Sequence, residues 1–184
     1  MMKTGGAELA DQPEQPRFER LATYDGFEVR RYAPSIEARV KTAGLGGDSS
    51  STGFRRIAGY IFGGNKEGHS IAMTAPVQQW GGEDDGWMSF TMPSSYTLTS
   101  LPEPMDKGVI LFALEQRDVA VLSFSGRYHK KKCVRLNQHL HGLVEKAGLT
   151  AIAAPILAVY DGPMTLPFRR RNEILLPVNW STEQ

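Results

Sequence analysis

The densest constellation of chemically capable residues lies near the C-terminus. There Arg169, Arg170, Arg171 and Asn172 run directly into Glu173, with Tyr160 one segment earlier. A carboxylate beside three guanidinium groups reads first as an ion pair at the start of a strand. Set in a pocket mouth beside a tyrosine, the same carboxylate can act as a general base with the phenol as polariser. Glu173 and Tyr160 are therefore the candidate catalytic pair.

The histidines offer less. His139 and His141 are two apart, so on a helix they project about 200° from one another and cannot chelate together. His141 and Glu145 have helical i, i+4 spacing, which suits an exposed polar pair as well as a metal. His69, between Gly68 and Ser70, reads as a solvated loop residue. His129 stands four residues before Cys133 and extends that residue's apolar stripe if the helix begins so early. It is then a candidate axial ligand for a bound iron; the plainer reading is a helix-start residue beside Lys130, Lys131 and Lys132. Cys133 is the one cysteine, which excludes an intramolecular disulfide and cysteine-rich metal motifs. Among leucines on a helical stripe it reads as a small buried hydrophobe. No GxGxxG, P-loop, HExxH or GxSxG motif is present.

The elements that position these residues follow from periodicity. Leu21 to Tyr24 and Phe27 to Tyr32 read as strands joined by an Asp25-Gly26 turn. Ser35 to Lys41 alternates at strand period. Asp48 and the serines after it are candidate N-caps for a helix whose stripe is Phe54, Ile57, Ala58 and Ile61, closed at Gly63 and Gly64. Strands follow at Ile71 to Trp80, with Pro76 implying an edge or a bulge, and at Trp87 to Met92. The second half repeats the order. Strands at Val109 to Leu114 and Asp118 to Phe124 precede a helix from about His129 to Ala147, and strands at Ile156 to Tyr160 and Glu173 to Val178 close the chain. Strand–strand–helix–strand–strand, twice, predicts an α+β fold with antiparallel strands in a curved sheet or open barrel and both helices packed outside.

The 184 residues suit one domain, and a hydrophobic content of 41% with 22% charged residues is ordinary for a globular protein. Residues 1–17 read as a flexible tail and 18–180 as the domain. The net charge of +1 gives no overall electrostatic case for nucleic acid or an anionic membrane, leaving room only for a local patch. No run approaches the ~20 apolar residues of a spanning helix, and no signal-peptide pattern opens the chain, so a cytoplasmic location is the default expectation.

Several segments, in order, resemble one family. Phe27 to Pro34 is similar to the EVRxYxP opening of the SOUL/heme-binding proteins. Gly53-Phe54 through Tyr60-Ile61, Gly64-Asn65 and Ile71 to Val77 resemble that family's central motif. Ser89 to Pro93, Val119 to Gly126, Tyr160 to Pro163 and Arg170 to Ile174 resemble its later segments. The resemblance spans about residues 20 to 178. It implies a distorted eight-stranded antiparallel barrel with two helices, and heme or another tetrapyrrole held in a shallow apolar groove beside the first helix. Ser51, Phe54, Ala58 and Gly59 are the implied groove residues, with Arg55 and Arg56 as contacts for the propionates. Arg31 occupies a position where some members carry a histidine proposed as iron ligand, which leaves His129 as the remaining candidate. The implied role is carrier or buffer for a small hydrophobic ligand. The fold also resembles bacterial effector-binding (gyrase-inhibitor-like) domains, some of whose relatives are hydrolases. That gives the alternative of a small-molecule hydrolase or ligand-sensing domain using Glu173 and Tyr160.

Overall fold

The computed structural model describes residues 12–43, 47–82 and 84–181, and within the first helix the side chains from Ser50 onward. The elements, in chain order, are β1 (Phe18–Tyr24), β2 (Phe27–Tyr32), β3 (Ser35–Thr42), α1 (Gly47–Ile61), β4 (Val77–Trp80), β5 (Gly86–Thr91), β6 (Ile110–Leu114), β7 (Arg117–Ser125), α2 (Lys130–Lys146), β8 (Thr150–Ala151), β9 (Ile156–Val159) and β10 (Arg171–Asn179). A short 3-10 turn at Pro167–Arg169 precedes β10. The N-cap candidates Asp48 and Ser49 lie outside the described side chains. Of the expected tail, residues 1–11 lie outside the described residues. Glu14 is pinned by its bridge to Thr74 and by its carbonyl, which accepts from the Ala75 N–H at 2.9 Å.

The ten strands form one antiparallel sheet in the order β1-β2-β7-β10-β9-β4-β5-β3-β6, with β8 beside β10. This corrects the expected distorted eight-stranded barrel: the sheet has ten strands. The sheet is open, because β1 folds back on β2 and β6 lies on β3, which leaves the two ends unjoined. The doubled pattern is real but interlocked. β2, from the first half, pairs with β7 of the second, while β6, from the second, pairs with β3 of the first. β4 and β9 join the halves at the centre.

Local chemistry sets the boundaries. Tyr24 pairs with Phe27 across Asp25-Gly26, and Gly26 takes φ +88°, which a side chain would resist. β4 begins only after Pro76, which has no N–H for a ladder. It is an interior strand between β5 and β9, not the expected edge. α2 begins one residue later than expected. His129 is its N-cap, extended at φ −151°, ψ 160°, and its Nδ1 accepts from the Lys132 N–H at 3.3 Å.

Register assigns the two faces. Val40, Met88, Gln79, Leu157, Ile174 and Leu122 lie opposite one another across six strands and so share one face. Both helices cover that face. Ile57, Tyr60 and Ile61 of α1 pack with Val40, Met88 and Phe90, while Cys133, Leu140 and Val144 of α2 pack with Leu122, Leu157 and Ile174. The neighbouring row, Arg39, Ser89, Gln78, Ala158, Glu173 and Ser123, therefore points the other way. No described helix covers it, yet Ser89, Ala158 and Glu173 are completely buried. Residues 15–18 help to cover it: Gln15 Oε1 accepts from Arg171 Nη1 at 3.0 Å, and Phe18 lies over Arg30.

Candidate functional site

Glu173 lies at the centre of the inner face. Its carboxylate accepts from Arg30 Nη1 at 3.0 Å and Nη2 at 3.1 Å, from Tyr160 Oη at 2.6 Å and from Arg171 Nη2 at 3.0 Å, with Ser123 Oγ at 3.3 Å. Arg30 also donates to Tyr32 Oη at 3.1 Å and to Glu28. Phe18 covers the Arg30 guanidinium at 4.3 Å, and the Arg171 guanidinium lies 3.8 Å from the centroid of Tyr160. Burial by itself would raise the Glu173 pKa. The hydrogen bonds from Arg30 and Tyr160, with the charges of Arg30 and Arg171, outweigh it and hold the carboxyl below its usual range. Burial and the adjacent Glu173 carboxylate push the Tyr160 phenol well up. The result is a fixed carboxylate with committed oxygens.

The other half of the same face is polar in a different way. Glu37 accepts from Arg39 Nε at 2.8 Å and from Gln78 Nε2 at 3.2 Å. Gln78 Oε1, Ser89 Oγ and Arg117 Nη1 are buried with no hydrogen-bond partner among the described residues, and a water or polar ligand would satisfy them. Burial lowers the Arg117 pKa despite Glu37 nearby.

The implied groove residues occupy the outer flank of α1. Phe54 is 38% exposed and leans on Phe90 with ring centroids 5.3 Å apart. Ala58 is buried at the flank, and a side chain added at Gly59 would meet nothing within 4 Å. Phe62, eight residues after Phe54, is 64% exposed. Phe54 and Phe62 thus bracket a low stretch of small residues, with Ser51 exposed one turn earlier. Arg55 is exposed and its Nε donates to the Ser51 carbonyl at 3.3 Å. Arg56 is engaged elsewhere: Nε and Nη2 each lie 2.7 Å from Asp106. Those bonds, with the Gly108 N–H, lower the Asp106 pKa to about 2.

A family profile described as SOUL heme-binding protein matches residues 13–177, nearly the whole described chain. The chain belongs to the SOUL heme-binding protein family. No curated protein matches it. Solved structures share the SOUL chain's fold at low identity. A hydrolase from Listeria innocua is 15% identical over 86% of this chain and 94% of its own, with a TM-score of 0.63. The EcmrR C-terminal domain is 14% identical over 83% and 96%, also at 0.63. An uncharacterized conserved protein from Listeria innocua is 15% identical over 83% and 92%, at 0.64.

Within this SOUL fold the expected site residues fall into three places. Ser51, Phe54, Ala58, Gly59 and Arg55 share the flank of α1. Glu173 and Tyr160 meet on the inner face. His129 caps the other helix. Among the described residues, no group of three or more His, Cys, Asp or Glu side chains is arranged to hold a metal ion. Sequence reasoning missed Arg30, the main partner of Glu173, and Phe62. Strand alternation over Glu28, Arg30 and Tyr32 is the signal for the first. The i+4 step beyond Ala58 is the signal for the second.

A cleft of about 410 Å³ lies where residues 14–17, the β2–β3 turn and the segment after β5 converge, lined by Pro16, Ile36, Met92, Tyr96 and Leu98. A second, of about 320 Å³, separates α2 from the β4–β5 turn, with Cys133 and Asn137 in its wall. Burial pushes the Cys133 thiol up, which suits a structural residue. Neither cleft includes α1 or Glu173. No described helix is long and apolar enough to cross a membrane.

Proposed function

We propose that this SOUL chain binds heme or a related tetrapyrrole without turning it over, on the flank of α1, as a carrier or buffer. The observation that carries the reading is the pair of exposed rings, Phe54 and Phe62, on either side of Ala58 and Gly59. Exposed apolar side chains flanking open backbone fit a flat hydrophobic ligand, and covering them yields about 25 cal/mol per Å² of apolar surface. The group itself supplies an iron and a visible chromophore. The chain supplies a shelf and a charge at its rim. Arg55 is the contact for a propionate; Arg56 would first have to leave Asp106. Iron ligation is weak or absent in this reading, because His129 caps the other helix and already accepts a hydrogen bond.

Parallel titrations with hemin and iron-free protoporphyrin test it. Both are expected to bind alike, His129→Ala to change nothing, and Phe54→Ala to weaken both. A tight low-spin hemin complex abolished by His129→Ala would make His129 the axial ligand. Absence of any Soret change with hemin would remove the proposal.

The alternative, hydrolysis with Glu173 as general base, draws on the 2.6 Å Tyr160–Glu173 contact. It is disfavoured because the carboxylate is already held by two arginines and its pKa is depressed, the wrong direction for a base at neutral pH. Turnover of any ester or reactive small molecule, lost in Glu173→Gln, would reverse this judgement.

A further inference from the structure

The loop between β9 and β10 is built in an unusual way. It carries Met164, Leu166 and Phe168, which are 94%, 53% and 70% exposed. Single exposed apolar residues are ordinary, but three within five residues form a patch that marks an interaction site. The loop is also internally fastened. The Thr165, Arg169 and Arg170 N–H groups donate to the carbonyls of Gly162, Leu166 and Pro167 at 3.1, 2.9 and 3.2 Å. The Arg170 guanidinium lies inside the turn, its Nε 2.7 Å from the Thr165 carbonyl and its Nη2 on that of Pro163. Asp161 closes the base by accepting from the Arg171 N–H at 2.6 Å. Pro163 and Pro167 fix two further φ angles. With its polar groups bonded inward, the loop presents its apolar side chains as a preformed tip.

Positive charge surrounds the tip. Arg171 pairs with Ser125, and Asn172 Nδ2 donates to the Gly126 carbonyl at 3.0 Å, so the segment after β7 lies at the same end of the sheet as the loop. Residues 126–135 contain five basic side chains and no acidic one. Arg127, Lys130 and Lys131 are exposed there, as is Arg169 beside the tip. Lys132 ties the start of α2 to this end by donating to the Ser125 and Arg127 carbonyls at 3.0 and 3.2 Å. A chain of net charge +1 thus gathers a basic cluster around Met164, Leu166 and Phe168.

We propose that this end of the molecule docks on a membrane surface carrying anionic phospholipids. Met164, Leu166 and Phe168 enter the headgroup boundary, and Arg127, Lys131 and Arg169 meet the phosphates. Neither component suffices alone. Three side chains bury too little area for stable anchoring, and the basic cluster supplies the second attraction. A fluid anionic surface is favoured over a protein groove because the charges are spread over two separate segments around the tip. A lipid surface can meet them without carboxylates placed one for one.

Flotation with vesicles of phosphatidylcholine alone, and of phosphatidylcholine mixed with phosphatidylserine, tests the proposal on the full chain. Binding is expected only to the phosphatidylserine vesicles, and is expected to weaken as salt is raised. Met164→Ser combined with Phe168→Ser, and separately Arg127→Glu combined with Lys131→Glu, should each lower binding by about tenfold or more without lowering the thermal midpoint. In Phe168→Trp the added emission should shift to the blue on phosphatidylserine vesicles alone. Wild-type protein that floats with neither vesicle type, floats equally with both, or floats as well after either double substitution overturns the proposal. Capture of an acidic protein through these same residues, with no vesicle binding, overturns it in favour of a protein-docking loop.

Discussion

Arg30 and Glu173 are 143 residues apart in the chain and make a two-point ion pair, 3.0 and 3.1 Å, across the intervening strand β7. Arg30 is 5% exposed and Glu173 is completely buried. Burial tends to lower the arginine's pKa, yet the bonds and charges of Glu173 and Tyr32 raise it, so both members remain charged. This pair ties strands of the two sequence halves together on the one face that no helix covers.

Removing one member of a buried pair leaves the other without compensation. Glu173→Leu or Arg30→Met is expected to cost about 3–5 kcal/mol. The double substitution should cost much less than the sum of the two. Urea unfolding of the four proteins in a double-mutant cycle measures the coupling; additive losses would mean that the contact is energetically idle.

Stability should fall in acid with a sign set by the depressed carboxyl groups. The folded pKa of Glu173 lies below its unfolded value, so its contribution is complete above the ordinary carboxylate range and is lost as pH falls through the folded pKa. Asp106 behaves likewise, between its ordinary 3.8 and about 2. Side-chain NMR titration should show the Asp106 pKa rising toward its ordinary 3.8 in Arg56→Ala, with the Gly108 N–H still holding it somewhat down, and Glu173→Gln should flatten part of the acid limb of the stability curve.

Buried and exposed apolar positions on the two helices should respond differently to truncation. Leu140 and Ile57 are fully buried, so replacing either by alanine is expected to cost ~3 kcal/mol by cavity formation. Phe54, on the apolar stripe of α1, is 38% exposed and should cost less. Its truncation is expected to lower hemin affinity more than the denaturation midpoint, and the opposite ranking would return it to the core.

Gly59 separates shelf from scaffold. A methyl group there meets no neighbour, so Gly59→Ala should stabilise α1 by about 1 kcal/mol through helix propensity. Gly59→Trp should keep the fold and obstruct hemin. Gly64 is the contrast, since its added Cβ would sit 2.5 Å from the Gly59 carbonyl and alanine there should destabilise.

The sequence alone determined the elements and their contact stripes, because both are local. Period-2 and helical spacing located β2, β3, β7, β10 and both helices within a few residues, and the Asp25-Gly26 turn within the β1–β2 pair. It also placed Glu173 beside Tyr160, whose segments carry the family's closing motif. Tertiary structure decided what depends on non-local pairing. Whether the sheet closes rests on which edges meet, and β1 and β6 do not. Two-residue β8 is too short to have a period. The exchange of β2 and β6 between halves leaves no trace in either half's pattern, because a strand alternates in the same way beside any neighbour. That exchange, which puts β2 and β10 on either side of β7, sets Arg30 against Glu173. It thereby makes a carboxylate that looks available in the sequence into one whose oxygens are already held.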